Sequence, residues 1–196
     1  MKTFFIADTH FGHKRILELS AAHNARPFRT IDEMDKTMIK KWNSVVSKHD
    51  TVFHLGDFSF CDFGKTQQIF YSLNGRIHLI MGNHDRHHSV KWFKDVGFHQ
   101  VYEYPICYKR VLWLSHAPML LDMKTHYVNI HGHTHSLTRF AEYASTITST
   151  NHLSVCVDVI DYTPILLEDL INNAPYNHKI KEADMSSYRN KELHDE

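Results

Sequence analysis

The sequence predicts an α/β domain containing more than one sheet, and three observations carry that reading. Short apolar runs of strand length alternate with amphipathic stretches of helical period through the first half of the chain. The following stretch is richer in strands and carries a hairpin signal around Lys109-Arg110. The 196 residues contain no internal repeat, low-complexity tract or Pro/Gly/Ser linker, which suits one domain around an ample core. The domain is expected to span 1–178, with a polar, weakly patterned tail at 179–196.

Each element has its own warrant. Thr3 to Ala7, apolar from Phe4 on, reads as a strand buried on both faces, and so do Thr51 to Leu55, Arg76 to Met81 and Val128 to Ile130. Between the first two strands, Thr30 and Glu33 form a capping box. Ile31, Met34, Met38, Trp42, Val45 and Val46 follow on one helical face, leaving Lys36, Lys40, Lys41 and Lys48 mostly on the wet side. A weaker helix over Gly64 to Leu73 is closed by the turn Asn74-Gly75. Phe98 to Tyr102, Ile106 to Tyr108 and Val111 to Leu114 predict further strands. Ser154 to Val159 alternates as a late strand, and Leu166 to Asn172 predicts a helix.

Composition narrows the function. Lys and Arg total 22 against 22 Asp and Glu, so the chain is not one that holds nucleic acid by bulk charge. The apolar run at the start stops at Asp8, too short for a signal peptide, and nothing approaches the roughly 20 apolar residues of a membrane-spanning helix. Cys61, Cys107 and Cys156 are widely separated, which points to buried small hydrophobes in a reducing cytoplasm. The 18 histidines pose a metal question that their positions must answer.

Five segments deliver Asp, Asn and His immediately after predicted strands: Asp8-x-His10, Gly56-Asp57, Gly82-Asn83-His84-Asp85, Ser115-His116 and His131-Gly132-His133. In open α/β sheets, ligands bind beyond the carboxyl ends of strands, so these side chains are expected at one edge. Each motif alone is ordinary turn chemistry, and only their joint order points to a metal centre.

These motifs resemble those of the calcineurin-like metallophosphoesterases, whose pattern is Asp-x-His, Gly-Asp, Gly-Asn-His-Asp/Glu, a lone His, then Gly-His-x-His or a close form. Asp8-Thr-His-Phe-Gly-His13, Arg26-Pro27-Phe28, His54-Leu-Gly-Asp57-Phe58 and the stretch from Ser154 through Asp158 and Asp161 to Pro164 are similar to a small bacterial and phage branch. The resemblance implies a four-layer α/β/β/α sandwich of two mixed sheets. It also implies two divalent transition-metal ions, one held by Asp8, His10, Asp57 and His133, the other by Asp57, Asn83, His116 and His131. The mixed ligands suit Mn, Fe, Zn, Ni or Co without choosing among them, and the resemblance puts Mn first. The implied reaction is phosphoester hydrolysis by a water activated between the ions, with Asn83 neutralising phosphoryl charge and His84 as proton donor.

A phosphodiesterase acting on nucleotides or other small diesters leads the reading. A phosphomonoesterase or nuclease with the same site, and a metal-stabilised scaffold, are its rivals. The partner is thus a small phosphoester, with nucleic acid not favoured and no membrane. Asp85 reads as the cap of the following helix rather than as the orienter of His84, and Arg86 as either a phosphate grip or an exposed arginine. His13, His54, His87, His88 and His135 are expected at surface or core positions. Arg26-Pro27-Phe28 is balanced between a substrate wall and a plain loop, and Trp92, Phe93, Phe98 and Tyr102 read as core.

Overall fold

Along strand β1 (Thr3–Ile6) successive side chains enter two different cores. Phe4 and Ile6 join one, while Phe5 and the following Ala7 join the other. The period of two explains why a strand covered on both faces must be apolar throughout. The computed structural model describes residues 1–21, 26–121, 127–135 and 151–172. Strands β2 (Thr51–His54), β3 (Arg76–Ile80) and β4 (Gln100–Tyr102) extend β1 in parallel, and β9 (Ile165–Leu166) closes its other edge antiparallel. The second sheet contains β5 (Ile106–Tyr108), β6 (Leu112–Ser115), β7 (Val128–His131) and β8 (His152–Ser154). Its β5–β6 pair is antiparallel and the others parallel, so both sheets are mixed.

Helices α1 (Ile16–Ala21), α2 (Ile31–Val45), α3 (Phe63–Ser72) and α4 (Val90–Val96) belong to the side of the first sheet that Phe4 and Ile6 face. On α2, the Thr30 hydroxyl accepts from the Glu33 amide at 3.1 Å. The Glu33 carboxylate reaches back to the Arg29 amide at 2.9 Å, one residue beyond the cap. Met34, Met38, Trp42 and Val46 are buried as the periodicity requires, and the Trp42 indole donates to the Asn74 carbonyl at 2.9 Å. Val45, expected on that face, is 39% exposed, and Val46, in extended backbone just past the helix, takes the buried place.

The second core lies between the sheets and takes in Leu167, Leu170 and Ile171 of α5 (Leu167–Asn172). At the hairpin, Lys109 and Arg110 both take positive φ, 48° and 62°, reversing the chain as expected. The late strand is shorter than its alternation suggests. It stops at Ser154, and Val155 and Val157 pair instead with Ala7 at the end of β1, at 2.8 and 3.0 Å. That crossing joins the two sheets and carries Asp158 toward the carboxyl end of β1.

Of the three free thiols only Cys156 is buried. Cys61 is half-buried and Cys107 exposed on edge strand β5, so burial does not account for all of them. No described helix is long and apolar enough to cross a membrane. The proposed tail lies outside the described residues.

Candidate metal centre

The segments leaving β1, β2, β3, β6 and β7 meet at one rim, as strand polarity predicts. Asp8, His10, Asp57, His133 and His135 all take left-handed backbone, with φ of 60°, 50°, 58°, 70° and 47°. Each such non-glycine conformation costs about 1–2 kcal/mol, so the surroundings must impose it. They do so through hydrogen bonds. The Asp8 amide donates to Gly56 O and the His10 amide to Asp57 O, both at 3.0 Å. The His133 amide donates to Asp8 Oδ2 at 2.9 Å.

Two glycines permit this closeness. A Cβ at Gly82 would lie 2.2 Å from Asp57 Oδ1, and one at Gly132 would lie 2.6 Å from Asp8 Oδ2. Asp85 has a different task from the expected helix cap. Its buried carboxylate accepts from the amides of Asp57 (2.7 Å), Gly82 (2.8 Å) and Phe58 (3.1 Å), tying the turns after β2 and β3 together. Ser89 caps α4 instead, through the Trp92 amide.

Ligand atoms gather in two groups, Asp8 with His10 and His135, and Asp8 with Asp57 and His116. His10 Nε2 lies 3.6 Å from Asp57 Oδ2 and 3.9 Å from Asp8 Oδ1. His116 Nε2 lies 3.5 Å from Asp57 Oδ2, 2.9 Å from Asn83 Oδ1 and 3.1 Å from His133 Nδ1. The partners of the opposite ring atoms decide the tautomers. His116 Nδ1 donates to the Leu55 carbonyl at 2.8 Å, which leaves the Nε2 lone pair facing the cluster. His135 Nδ1 pairs with Asp158 at 2.8 Å, and its Nε2 stands 3.9 Å from Asp8 Oδ1.

The structure therefore brings His133 and His135, rather than His131 and His133, to the carboxylates. β7 runs one residue beyond the expected Ile130, so His131 is still in the ladder opposite Ser115 and Ser154. Its Nδ1 lies 2.8 Å from Gly132 O and its ring faces His152 at 6.0 Å. The signal was present in the sequence: Gly132-His133-Thr134-His135 is itself a Gly-His-x-His.

His84 is exposed, its ring 4.9 Å from that of Phe60 and 5.7 Å from that of His10, and its amide bonds Asp57 Oδ1 at 3.0 Å. His13 stacks on Phe60 at 3.9 Å. Buried His54 contacts Thr9 Oγ1 at 2.9 Å, beneath the site. Arg26 resolves the balance between wall and loop. Its buried guanidinium donates to Thr9 O (3.0 Å), to Asp8 O (2.7 Å) and to Asp158 (3.0 and 3.2 Å), while Phe28 packs edge-on to Tyr162. Arg26, Asp158 and His135 thus form a chain that orients a ligand from below, a role missed from the sequence.

The electrostatics fit a cation. Burial pushes the Asp57 carboxyl up, against the charge of His116, and the charges of Asp8 and Asp85 add to the rise. Burial acts on Asp8 too, but His135, His116 and the His133 amide outweigh it and hold that group below its usual range. Two carboxylates in one dry pocket do not both ionise without positive charge between them. Burial drives His10 well below its ordinary pKa and His131 down to about 4, and it lowers His133 as well. At His135 the Asp158 and Asp8 charges overcome burial and raise the pKa. Asp8 Oδ1 and both ring nitrogens of His10 are buried with no hydrogen-bond partner among the described residues. Such orphaned donors and acceptors, set among oxygen and imidazole ligands, fit divalent transition metal.

The Calcineurin-like phosphoesterase family model matches residues 1–189. An uncharacterized protein of Methanocaldococcus jannaschii is 34% identical over 172 residues, covering 87% of this chain and 89% of that protein. The Gene 66 protein of Mycobacterium phage L5 is 33% identical over 168 residues, covering 68% of this chain and 77% of its own. The crystal structure of a protein of unknown function from Aquifex aeolicus superposes with a TM-score of 0.63 at 27% identity, covering 87% of this chain and 98% of that one. Gathered ligands, orphaned polar atoms and the match along nearly the whole sequence agree: the chain belongs to the calcineurin-like phosphoesterase family.

Proposed function

We propose that the protein is a dinuclear metal-dependent phosphodiesterase acting on nucleotide or other small diesters. The single observation that carries this reading is the pair of Asp–His groups sharing Asp8, with Asp57 within 3.6 Å of a histidine on either side. Asp8, His10, Asp57 and His135 would hold one cation, and Asp57, Asn83, His116 and His133 the other. The mixed imidazole and carboxylate donors suit manganese, iron, zinc, nickel or cobalt, and manganese is the ion proposed. When bound, two such ions supply Lewis-acid charge that activates water and neutralises a phosphoryl group.

The chain's own residues supply the rest. Asp57 sets the spacing of the two ligand groups, and its Oδ1 holds the His84 amide, so the proton donor is tied to the carboxylate between them. His84 stands on the open face, where its imidazole can reach a departing oxygen. In the hydrolysis, a bond from phosphorus to the oxygen of water forms as the bond to the leaving oxygen breaks. That oxygen takes its proton from His84, while the attacking water releases one proton to solvent and His84 is reprotonated from solvent. The Asn83 amide, beside His116, is placed to donate to a phosphoryl oxygen.

Hydrolysis of bis(p-nitrophenyl) phosphate by manganese-loaded protein tests the reading. His84→Ala should retain its metal, by elemental analysis, while turnover of an alkyl ester falls by about 10²–10⁴. Full turnover in that variant would remove the proton-donor role, and no hydrolysis by wild type would remove the function.

A further inference from the structure

Asn83, His116 and His133 line one wall of a cleft of about 430 Å³. Much of the remaining lining has a different chemistry: Met81, Pro105, Ala117, Pro118 and Met119 are apolar. Arg86 and Glu103 line the same cleft, both exposed, and Arg86 Nη2 donates to the Glu103 backbone carbonyl at 2.9 Å. That bond uses one of five guanidinium N–H groups.

His84 does not belong to the lining. Its ring packs toward His10 and Phe60, whereas Asn83, one residue earlier, faces His116. A leaving oxygen protonated by His84 therefore departs on the Phe60 side, and the cleft is left for the ester group that stays on phosphorus. A monoester has no such group. The volume lies within the range of small-molecule sites, and the lining joins those apolar residues to two polar ones, Arg86 and Glu103. An alkyl arm would leave those two polar groups unanswered, whereas a heteroaromatic base offers a flat face to the guanidinium and edge atoms to both.

We infer that the cleft binds the nucleoside arm retained by a phosphodiester substrate, with Ala117 setting its width and Arg86 stacking on or hydrogen-bonding to the base. The inference rests on the phosphodiesterase reading of the adjacent centre, and it names the arm that centre leaves attached.

Three esters with one leaving group test it: p-nitrophenyl phosphate, methyl p-nitrophenyl phosphate and thymidine 5′-(p-nitrophenyl) phosphate. Wild-type manganese protein should prefer the thymidine ester over the methyl ester in kcat/KM by about tenfold or more, the worth of one base contact. Ala117→Phe, which narrows the slot, and Arg86→Ala, on its exposed rim, should each abolish most of that preference. A wild-type ratio near one, or a ratio unchanged in Arg86→Ala, overturns the inference while leaving diester hydrolysis standing. Calorimetric binding of thymidine 5′-monophosphate is read in parallel on wild type and Arg86→Ala. If no ester is hydrolysed, the function above falls, and the cleft is still judged by whether that binding exists and weakens in the variant.

Discussion

The helix-side core around Trp42 and the rim around Asp57 are built by opposite rules. In the core, Met34, Met38, Trp42, Leu79 and Val96 are apolar and almost wholly buried, and the polar atom of Trp42 has its partner. At the rim, buried carboxylates and imidazoles sit on left-handed backbone, and several of their polar atoms have no hydrogen-bond partner among the described residues. The difference teaches that burial alone does not mark stability. The core holds the fold, and its surplus keeps the rim in an arrangement that makes sense only around cations.

That contrast can be broken or sharpened experimentally. Asp57→Asn should abolish dinuclear metal binding, seen as loss of the two-ion stoichiometry. The metal-free variant should nevertheless melt at or above the wild-type temperature, because a buried charge has gone. A lower melting temperature without metal would show that the rim stabilises the fold by itself. Trp42→Ala, the matching change in the core, should cost about 3–5 kcal/mol in denaturant unfolding. A loss under about 1 kcal/mol would mean the helix side is not the main store of stability.

Arg26→Ala probes the boundary between the two regions. It strips Asp158 and two ligand-loop carbonyls of their donor, so metal affinity should fall about 10–100-fold by competitive chelation. The smallest effect belongs to Asp50, far from the rim. The Lys2 amide, with the Ser47 amide and hydroxyl, holds its carboxyl down at about 2. A depressed carboxylate stabilises the fold above its unfolded pKa, about 3.9, and the gain is lost as pH falls through 2. Asp50→Asn should therefore flatten the melting-temperature profile between about pH 4 and 2, leaving its shape at neutral pH unchanged.

The sequence showed most of the frame and every segment that meets at the rim, but not which histidines of the last one turn to the carboxylates. Strand ends were legible because apolar runs stop abruptly at Asp8, Asp57 and Asn83, and α2 was legible from its cap and stripe. The choice among His131, His133 and His135 was not, because it turns on where β7 ends, and one residue moves the side chain to another environment. Arg26 and Asp158 lie 132 residues apart, and no local pattern announces a pair at that separation. Asp85 misled for a related reason. An aspartate before a helix has the look of a cap, and only the folded turns reveal three amides converging on it.

The Asp85 carboxylate also acts as a spacer block. By gripping the loop after β2 and the loop after β3 at once, it sets the gap between Asp57 and Asn83, and would thereby set how far apart the proposed pair of ions sits. A side chain outside the ligand groups would then govern which pair of cations the pocket accepts.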